Sequence, residues 1–592
     1  MGNSLGPPAS VPPGRIIHRR SESAIGVAIQ PGAKMIHRLS EGGLTAAYTI
    51  DYQIGAGILA HSYITRVNGY LFQSPATWFR SSGWDVSPGY ERAPAIDFDR
   101  PITETCLFCH AGSAKFLGDD GRRLASPELT GITCERCHGP SEDHVRRPSA
   151  SNIVNPAKLP ARARDSVCEQ CHLEGAVRVL NPGKRWGDFH PGENFERTCA
   201  VYVLNENGRE VKAVSQFEQV AQSQCASRSG GRLWCGTCHL PHSQATNRGR
   251  EIRGICVSCH ATLSKRDHPN AQPECGSCHM PRLSSEYAHV AVTDHRIVRL
   301  AQKEIVETGP VKLAAWVEPP NEFRRRDLTL AGLKQGTPAI RQEALHQIET
   351  MPNAQLAEDP ALLAAACDAM LEPPRPRALD LCRQSAEKQP ESADRALAFG
   401  KALALSSDAS GAERQFANAI RLDPSLKRAY LELWSLYDGQ HRIREMRETA
   451  ESYLNWNPRN ILFRRLQAMT GRIKFESLTA GLRTVPLITI AYARISLFRD
   501  PAFNRASGRF LVLNLGGRNA IHKVYSVSRL RGFQSACAGG YRRHLRNRAG
   551  FDIRRYSRCG DRAAQRRYRP RLSDRIRFVG GLLAHIYSDW QL

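Results

Sequence analysis

The residues with the clearest chemistry are cysteines. Six times the chain reads Cys-x-x-Cys-His: Cys106-Leu-Phe-Cys109-His110, Cys134-Glu-Arg-Cys137-His138, Cys168-Glu-Gln-Cys171-His172, Cys235-Gly-Thr-Cys238-His239, Cys256-Val-Ser-Cys259-His260 and Cys275-Gly-Ser-Cys278-His279. Twelve of the 18 cysteines are used this way, all between residues 106 and 279. Two thiols three positions apart can add across the two vinyl groups of one haem, and the next residue then brings an imidazole under the iron. A zinc site also uses Cys-x-x-Cys, but it needs a second ligand pair and has no need of the adjoining histidine. The spacing therefore predicts six covalently attached c-type haems, with His110, His138, His172, His239, His260 and His279 as proximal ligands.

The sixth iron position decides what such a site does. A second protein ligand leaves electron transfer, whereas an open position admits a substrate. Residues 1–300 hold nine histidines outside the motifs: His18, His37, His61, His144, His190, His242, His268, His289 and His295. Bis-histidine ligation is thus the default, with His61, His144, His242, His289 and His295 as the distal candidates. Only seven methionines exist, and Met280, next to a proximal histidine, is badly placed to bind from the far side. Six haems on about 175 residues leave no room for an ordinary side-chain core, so the porphyrins should form that core.

The flanking elements must hold this segment. Residues 1–105 read as a β-containing first part. Tyr48, Ile50, Tyr52 and Ile54 alternate at period two, and Asn68-Gly69 between two apolar runs is a hairpin turn. A second hairpin is expected from Val201 to Val211 around Asn207-Gly208. Residues 106–300 form the six-haem domain, and 301–358 a linker passing into helix. Beyond it Pro390, Pro424 and Pro458 stand 34 residues apart, and Gly400, Ala412, Phe416, Ala419 and Pro424 match tetratricopeptide positions. Repeats are expected at 359–392, 393–426 and 427–460, running on to 470, with Cys367 and Cys382 as small core residues. The fold class expected is mainly α: a haem-packed cytochrome c domain with small β-hairpins, then a tetratricopeptide α-solenoid.

Charge separates the last segment from the rest. The formal charge is +25. Residues 471–592 carry 23 Arg, 2 Lys and 6 acidic residues, a net +19, so the main body is nearly balanced. The Arg-rich, Lys-poor tail reads as a non-native, frame-shifted or disordered segment, not as a nucleic-acid arm. No stretch of about 18 apolar residues predicts a membrane span. Residues 1–35 lack a signal-peptide pattern, yet c-type haem is attached after export. The expectation is an exported or periplasmic protein whose start lies upstream.

These motifs resemble those of exported multihaem cytochromes of the nitrifier tetrahaem (c-554) type fused to tetratricopeptide repeats. The resemblance rests on Cys134-Glu-Arg-Cys-His-Gly-Pro with His144, on Leu233-Trp-Cys-Gly-Thr-Cys-His-Leu-Pro-His242, and on Cys275-Gly-Ser-Cys-His-Met-Pro-Arg followed by Thr293-Asp-His295-Arg-Ile. It implies a periplasmic electron carrier with distal histidines at His144, His242 and His295. Family members usually open with a signal peptide and one further haem motif, which this N-terminus lacks.

Electron transfer with a redox partner docked on the repeats is the leading reading, and a membrane-associated redox complex is one setting for it. The alternatives are an oxidoreductase acting on a small nitrogen or sulfur compound at one open haem, and a repeat scaffold with structural haems.

Overall fold

A computed structural model of the chain describes residues 4–476 apart from 33, 56–57, 119–120, 126–127, 206–211, 213, 243–247, 262–274, 286–288, 299–310 and 336, together with 510–513 and 523–526. It divides into two units, Met1–Ala480 and Gly481–Gln591. In the second, Phe510–Leu513 and Lys523–Ser526 pair antiparallel. The rest of the Arg-rich tail, and the turn expected at Asn207-Gly208, lie outside the described residues.

The first 124 residues are richer in sheet than hairpin signals alone suggest. Gly14–His18, Ser23–Gln30, Lys34–Glu41 and Leu44–Thr49 form a four-stranded antiparallel meander. One face is buried at period two, through Ile16, Ile25, Val27, Met35, Leu39, Ala46 and Tyr48. A second sheet runs in the order Leu5–Gly6, Tyr52–Ile54, Ala60–Val67, Tyr70–Phe79, Arg123–Leu124, Phe116–Leu117, with Gly83–Val86 and Arg100–Pro101 also on the Tyr70–Phe79 strand. The two sheets meet through rings: His37 lies 5.1 Å from Tyr63 and 5.5 Å from Trp84. The alternating run from Tyr48 to Ile54 is not one strand. Ile50 N donates to Met35 O in one sheet and Asp51 N to Ile64 O in the other, so the chain changes sheets there. The Asn68-Gly69 turn does join its two strands, with φ of 50° and 85°. Both are in the left-handed region that such a turn demands.

The motif segment is made of short helices. Its Cys-x-x-Cys-His motifs lie at the ends of the helices Glu104–His110, Glu135–His138, Ala161–His172, Cys235–Cys238, Arg248–Cys259 and Cys275–His279. The strand Cys199–Leu204 pairs with Val177–Leu180 on one side and Leu313–Ala315 on the other.

Helices then take over. Asn321–Lys334 and Pro338–Thr350 pair in the segment that the sequence read as linker passing into helix. Three more pairs follow, Pro360–Leu371 with Ala378–Lys388, Ala393–Leu405 with Ala409–Leu422, and Lys427–Gly439 with Ile443–Trp456, and then Ile461–Glu476. Gly400 shows why a small residue is needed: a Cβ there would stand 2.6 Å from the Phe416 ring. Cys367 and Cys382 are fully buried, and they are also joined to each other as a disulfide. One apolar core runs from Val177, Val179, Ala200 and Tyr202 of the motif segment through Leu330, Ile348 and Leu363 to Ala402.

The β region also seats on the ends of the repeat helices. Arg122 bonds Asp394 at 2.9 Å and Asp423 at 3.0 Å. Lys427 pairs with Asp99, Arg465 with Glu41, and Asn460 Nδ2 donates to Asp97 at 2.7 Å. Tyr70 and Phe72 set their rings against Trp456.

Asp97 is buried at this seam. Burial first, then the charge of Asp99, raises its carboxyl to about 7, against the pull of Lys427. Between an unfolded value near 4 and that folded value the native state holds a proton that the unfolded chain has lost. Stability should therefore fall as pH rises from about 4 to about 7, by at most about 1.4 kcal/mol per pH unit. Urea midpoints measured across that range should show this slope, and Asp97→Asn should flatten it. An equal slope in both proteins would rule Asp97 out as its source.

Candidate haem-attachment site

The motifs differ in what holds them. The first is wedged between two apolar clusters. Leu107 packs with Ile64, Leu71, Ile102 and Leu124, and Phe108 with Leu173, Phe189 and Phe195. The third sits at the end of a twelve-residue helix. Between its cysteines Glu169 and Gln170 are 1% and 2% exposed. Glu169 is met by Arg162, which also holds Glu196, and by Trp316 Nε1 at 3.1 Å. Burial raises its carboxyl, and Arg162 opposes the rise. Arg178 closes the helix end: Nε donates to Leu173 O at 2.9 Å, Nη1 to Gln170 O at 3.0 Å and Nη2 to Glu169 O at 3.3 Å. A cation suits a helix C-terminus, where the last carbonyls lack partners. The helices of the second, fourth and sixth motifs, in contrast, bury no side chain.

Residues between the paired cysteines lock the first three motifs together. The Arg136 guanidinium lies 4.5 Å over the Phe108 ring, and its Nη2 donates to Phe108 O at 2.6 Å. Gln170 Nε2 donates to Arg136 O at 2.9 Å. Sulfurs of different motifs also approach: Cys109 and Cys171, Cys168 and Cys235, and Cys256 and Cys275 are each within mutual hydrogen-bond reach. The Cys171 contact, followed by Arg178 and Arg136, pulls the Cys109 thiol down to about 7. Among the described residues no group of three or more Cys, His, Asp and Glu side chains converges as a tetrahedral zinc site would require.

Many of the histidines are oriented through Nδ1. His138 donates to Val154 O at 2.7 Å, His279 to Val298 O at 2.8 Å and His295 to Thr293 O at 2.8 Å. His61 faces Gly55 O at 3.2 Å and His172 faces Gln216 Oε1 at 3.1 Å. His144 Nδ1 meets Ser149 O at 3.1 Å and Asn152 Oδ1 at 3.0 Å. Asn152 is itself fixed, since its Nδ2 donates to Asp143 O and Arg147 O. A carbonyl oxygen only accepts, so Nδ1 must carry the proton and the lone pair falls on Nε2. That is the tautomer a metal takes. Burial lowers His61 and His295, which favours the neutral imidazole with a free lone pair.

Two ring pairs come together across the sequence. His138 and His242 have centroids 5.7 Å apart and planes 18° apart, and His239 and His295 are 6.2 Å and 23° apart. Metal–imidazole bonds of about 2 Å on each side of one ion put two ring centres about 6 Å apart.

The other candidates are engaged elsewhere. His18 sits between Ser21 and Tyr90 O. His37 is buried against Ser74, and burial holds it down to about 3. His289 Nε2 meets Asp85 at 2.6 Å on the β region, so the nitrogen that an iron would need is on a carboxylate. His190 is exposed and His268 lies outside the described residues.

No family model matches the chain. It is 28% identical over 213 residues to the Multiheme cytochrome MtrA of Shewanella baltica (strain OS185), covering 31% of this chain and 62% of that protein. The chain is distantly similar to multihaem cytochromes. It spans less than two thirds of that curated relative. Among solved structures, Outer Cell Wall Cytochrome OcwA aligns over 65% of this chain and 88% of its own, at 16% identity and a TM-score of 0.30. A MamA protein aligns over 27% of this chain and 96% of its own, at 16% identity and 0.21. Both scores are too low to define a shared fold.

The described residues suit a covalently attached haem. Each cysteine pair offers two thiols at the right spacing, and the best-oriented imidazoles have their metal-binding tautomer imposed. Motif helices that bury no side chain of their own have a surface to give to a porphyrin. Sequence reading missed Arg136, Gln170, Arg178, Asn152 and Trp316. Arg136 and Gln170 stand inside the motifs and were in view. Trp316, 147 residues from Glu169, carried no local signal.

Removing Arg162 tests how the third motif is held. Arg162→Met leaves a buried carboxylate without its cation and should cost about 3 kcal/mol in urea unfolding. Adding Glu169→Gln should recover much of that loss. No loss in the single variant would mean that Trp316 alone satisfies Glu169.

Proposed function

We propose that the chain is an exported multihaem c-type cytochrome that passes electrons along a row of mostly bis-histidine sites. The observation that carries this reading is the set of six Cys-x-x-Cys-His motifs, supported by two non-local histidine pairs at the spacing of a shared metal ion. Attachment falls to Cys106 and Cys109, Cys134 and Cys137, Cys168 and Cys171, Cys235 and Cys238, Cys256 and Cys259, and Cys275 and Cys278. Haem, when bound, supplies one-electron iron chemistry. His138 with His242, and His239 with His295, are the pairs that would hold an iron between them, given their ring spacing. His144 serves through the orientation that Asn152 gives it, and His61 through Gly55. His289 would first have to leave Asp85.

The nitrifier tetrahaem type with tetratricopeptide repeats remains the family reading. The helix pairs starting at Ala393 and Lys427 and the helix starting at Ile461, 34 residues apart, support the repeat part. A redox partner protein would dock on repeat surface that the β region leaves uncovered. Export agrees with the buried Cys367–Cys382 disulfide, since such bonds persist in oxidising compartments. No described helix is long and apolar enough to cross a membrane.

Protein produced with a haem-attachment system should give six haems per chain by pyridine haemochrome assay and a low-spin spectrum. His242→Ala and His295→Ala should each add a high-spin signal from one site while keeping six haems attached. Fewer than about four haems in the unaltered protein would sink the proposal. After denaturation without reductant, Cys367 and Cys382 should resist alkylation, and they should react once reduced. Immediate alkylation would remove the argument for export.

A further inference from the structure

We propose that Arg136 and Arg178 are fixed cations that make the junction of the first and third attachment motifs the highest-potential point in the row. The proposal rests on the electron-transfer reading above. Both guanidinium groups are spent on structure. Arg136 donates to Phe108 O and lies on the Phe108 ring, and Arg178 donates to Glu169 O, Gln170 O and Leu173 O. Their partners are backbone carbonyls and aromatic faces, and the Arg178 guanidinium also lies 5.6 Å from the Phe195 ring centre. Neither forms an ion pair among the described residues. The carboxylates around them are otherwise engaged. Glu169 is taken by Arg162 and Trp316. Glu218, which lies in the field of Arg178, accepts from Gly175 N.

Two cations that form no ion pair among the described residues therefore lie at this junction, Arg136 on the carbonyl of Phe108 next to Cys109 and Arg178 on that of Gln170 next to Cys171. Cys109 Sγ reaches Gln170 O at 3.8 Å, the same carbonyl that Arg178 Nη1 holds at 3.0 Å, so that cation sits beside the sulfurs of the two motifs. The field of both cations bears on any iron held by these motifs. Reduction of a ferric site adds one electron and removes one positive charge, so fixed cations nearby favour the reduced form. The surroundings keep the field strong. Phe108, Leu173, Phe189 and Phe195 form an apolar cluster here, in contrast to the unburied helices of the fourth and sixth motifs. Hydrogen bonds and burial around an attached group are the levers a protein has on its potential. Electrons entering the row would collect at this junction before leaving it.

The test is a spectroelectrochemical titration of the haem-loaded full chain, with haems counted in each preparation. Arg136→Gln should lower the highest midpoint by a factor of ten in the one-electron equilibrium constant, about 59 mV. Arg136→Lys keeps the charge and should leave that midpoint near its original value. Arg178→Gln, read in the same way, covers the case in which Arg136→Gln does not fold. An unmoved highest midpoint in a six-haem glutamine variant overturns the proposal. Equal shifts in the Gln and Lys variants also overturn it, because packing and not charge would then be responsible. Unaltered protein that binds no haem defeats the underlying reading instead, and this inference with it.

Discussion

The constraint behind this molecule is that its motif segment closes only a small core of its own, around Phe108, Phe189 and Phe195. Between residues 106 and 279 the chain turns repeatedly to place a Cys-x-x-Cys-His at the end of a short helix. A four- or five-residue helix has almost no interior hydrogen bonds and nucleates poorly by itself. The helices of the second, fourth and sixth motifs bury no side chain. Something outside these helices must hold them in place. The rest of the chain supplies part of that support.

The protein part comes from two directions. On one side the β region receives Leu107 of the first motif into the Ile64 and Leu71 cluster. On the other, Val177, Val179, Ala200 and Tyr202 continue into the core of the helical half. Asp359 joins these levels at a single side chain. It caps the Pro360–Leu371 helix through Leu362 N at 2.8 Å and also pairs with Arg326, which donates to Leu180 O at 3.0 Å. The first and third motifs lie where the two supports meet, and that is where the arginine bonds to backbone carbonyls are found. The fourth and sixth lie further out. The helices of the second, fourth and sixth motifs bury no side chain there.

How legible each feature was depended on how local its cause is. The Asn68-Gly69 turn could be read because two adjacent residues with positive φ decide it. The 34-residue period could be read because Gly400 and Phe416 meet inside one helix pair. The Asn321–Thr350 stretch was read as linker passing into helix, and not as a helix pair, because it starts 39 residues before the next pair and lacks the proline slot. The full extent of the two sheets was hidden for another reason. Alternation from Tyr48 to Ile54 looks continuous in sequence, although the chain passes from one sheet to the other at Ile50–Asp51. The Cys367–Cys382 bond required knowing that two helices face each other. His242 and His295 were read as ligand candidates, but their partners lie 104 and 56 residues away and no local spacing names them.

The seam between the β region and the repeats bears on partner binding. Asp394, Lys427 and Asn460 lie at corresponding places, at or next to the start of the first helix of successive pairs. Each meets a residue of the N-terminal β region: Arg122, Asp99 and Asp97. Stacked repeats present a continuous surface because each unit offers the same positions in register. Here that regularity is used inward, as a ladder of polar contacts to the chain's own sheet. A partner that competed for the same rungs would have to replace buried hydrogen bonds and ion pairs of this seam, each costly to leave unmade. Docking that leaves the ladder intact avoids that cost. It also keeps the β region, and with it the first motif, in a fixed place while the partner comes and goes.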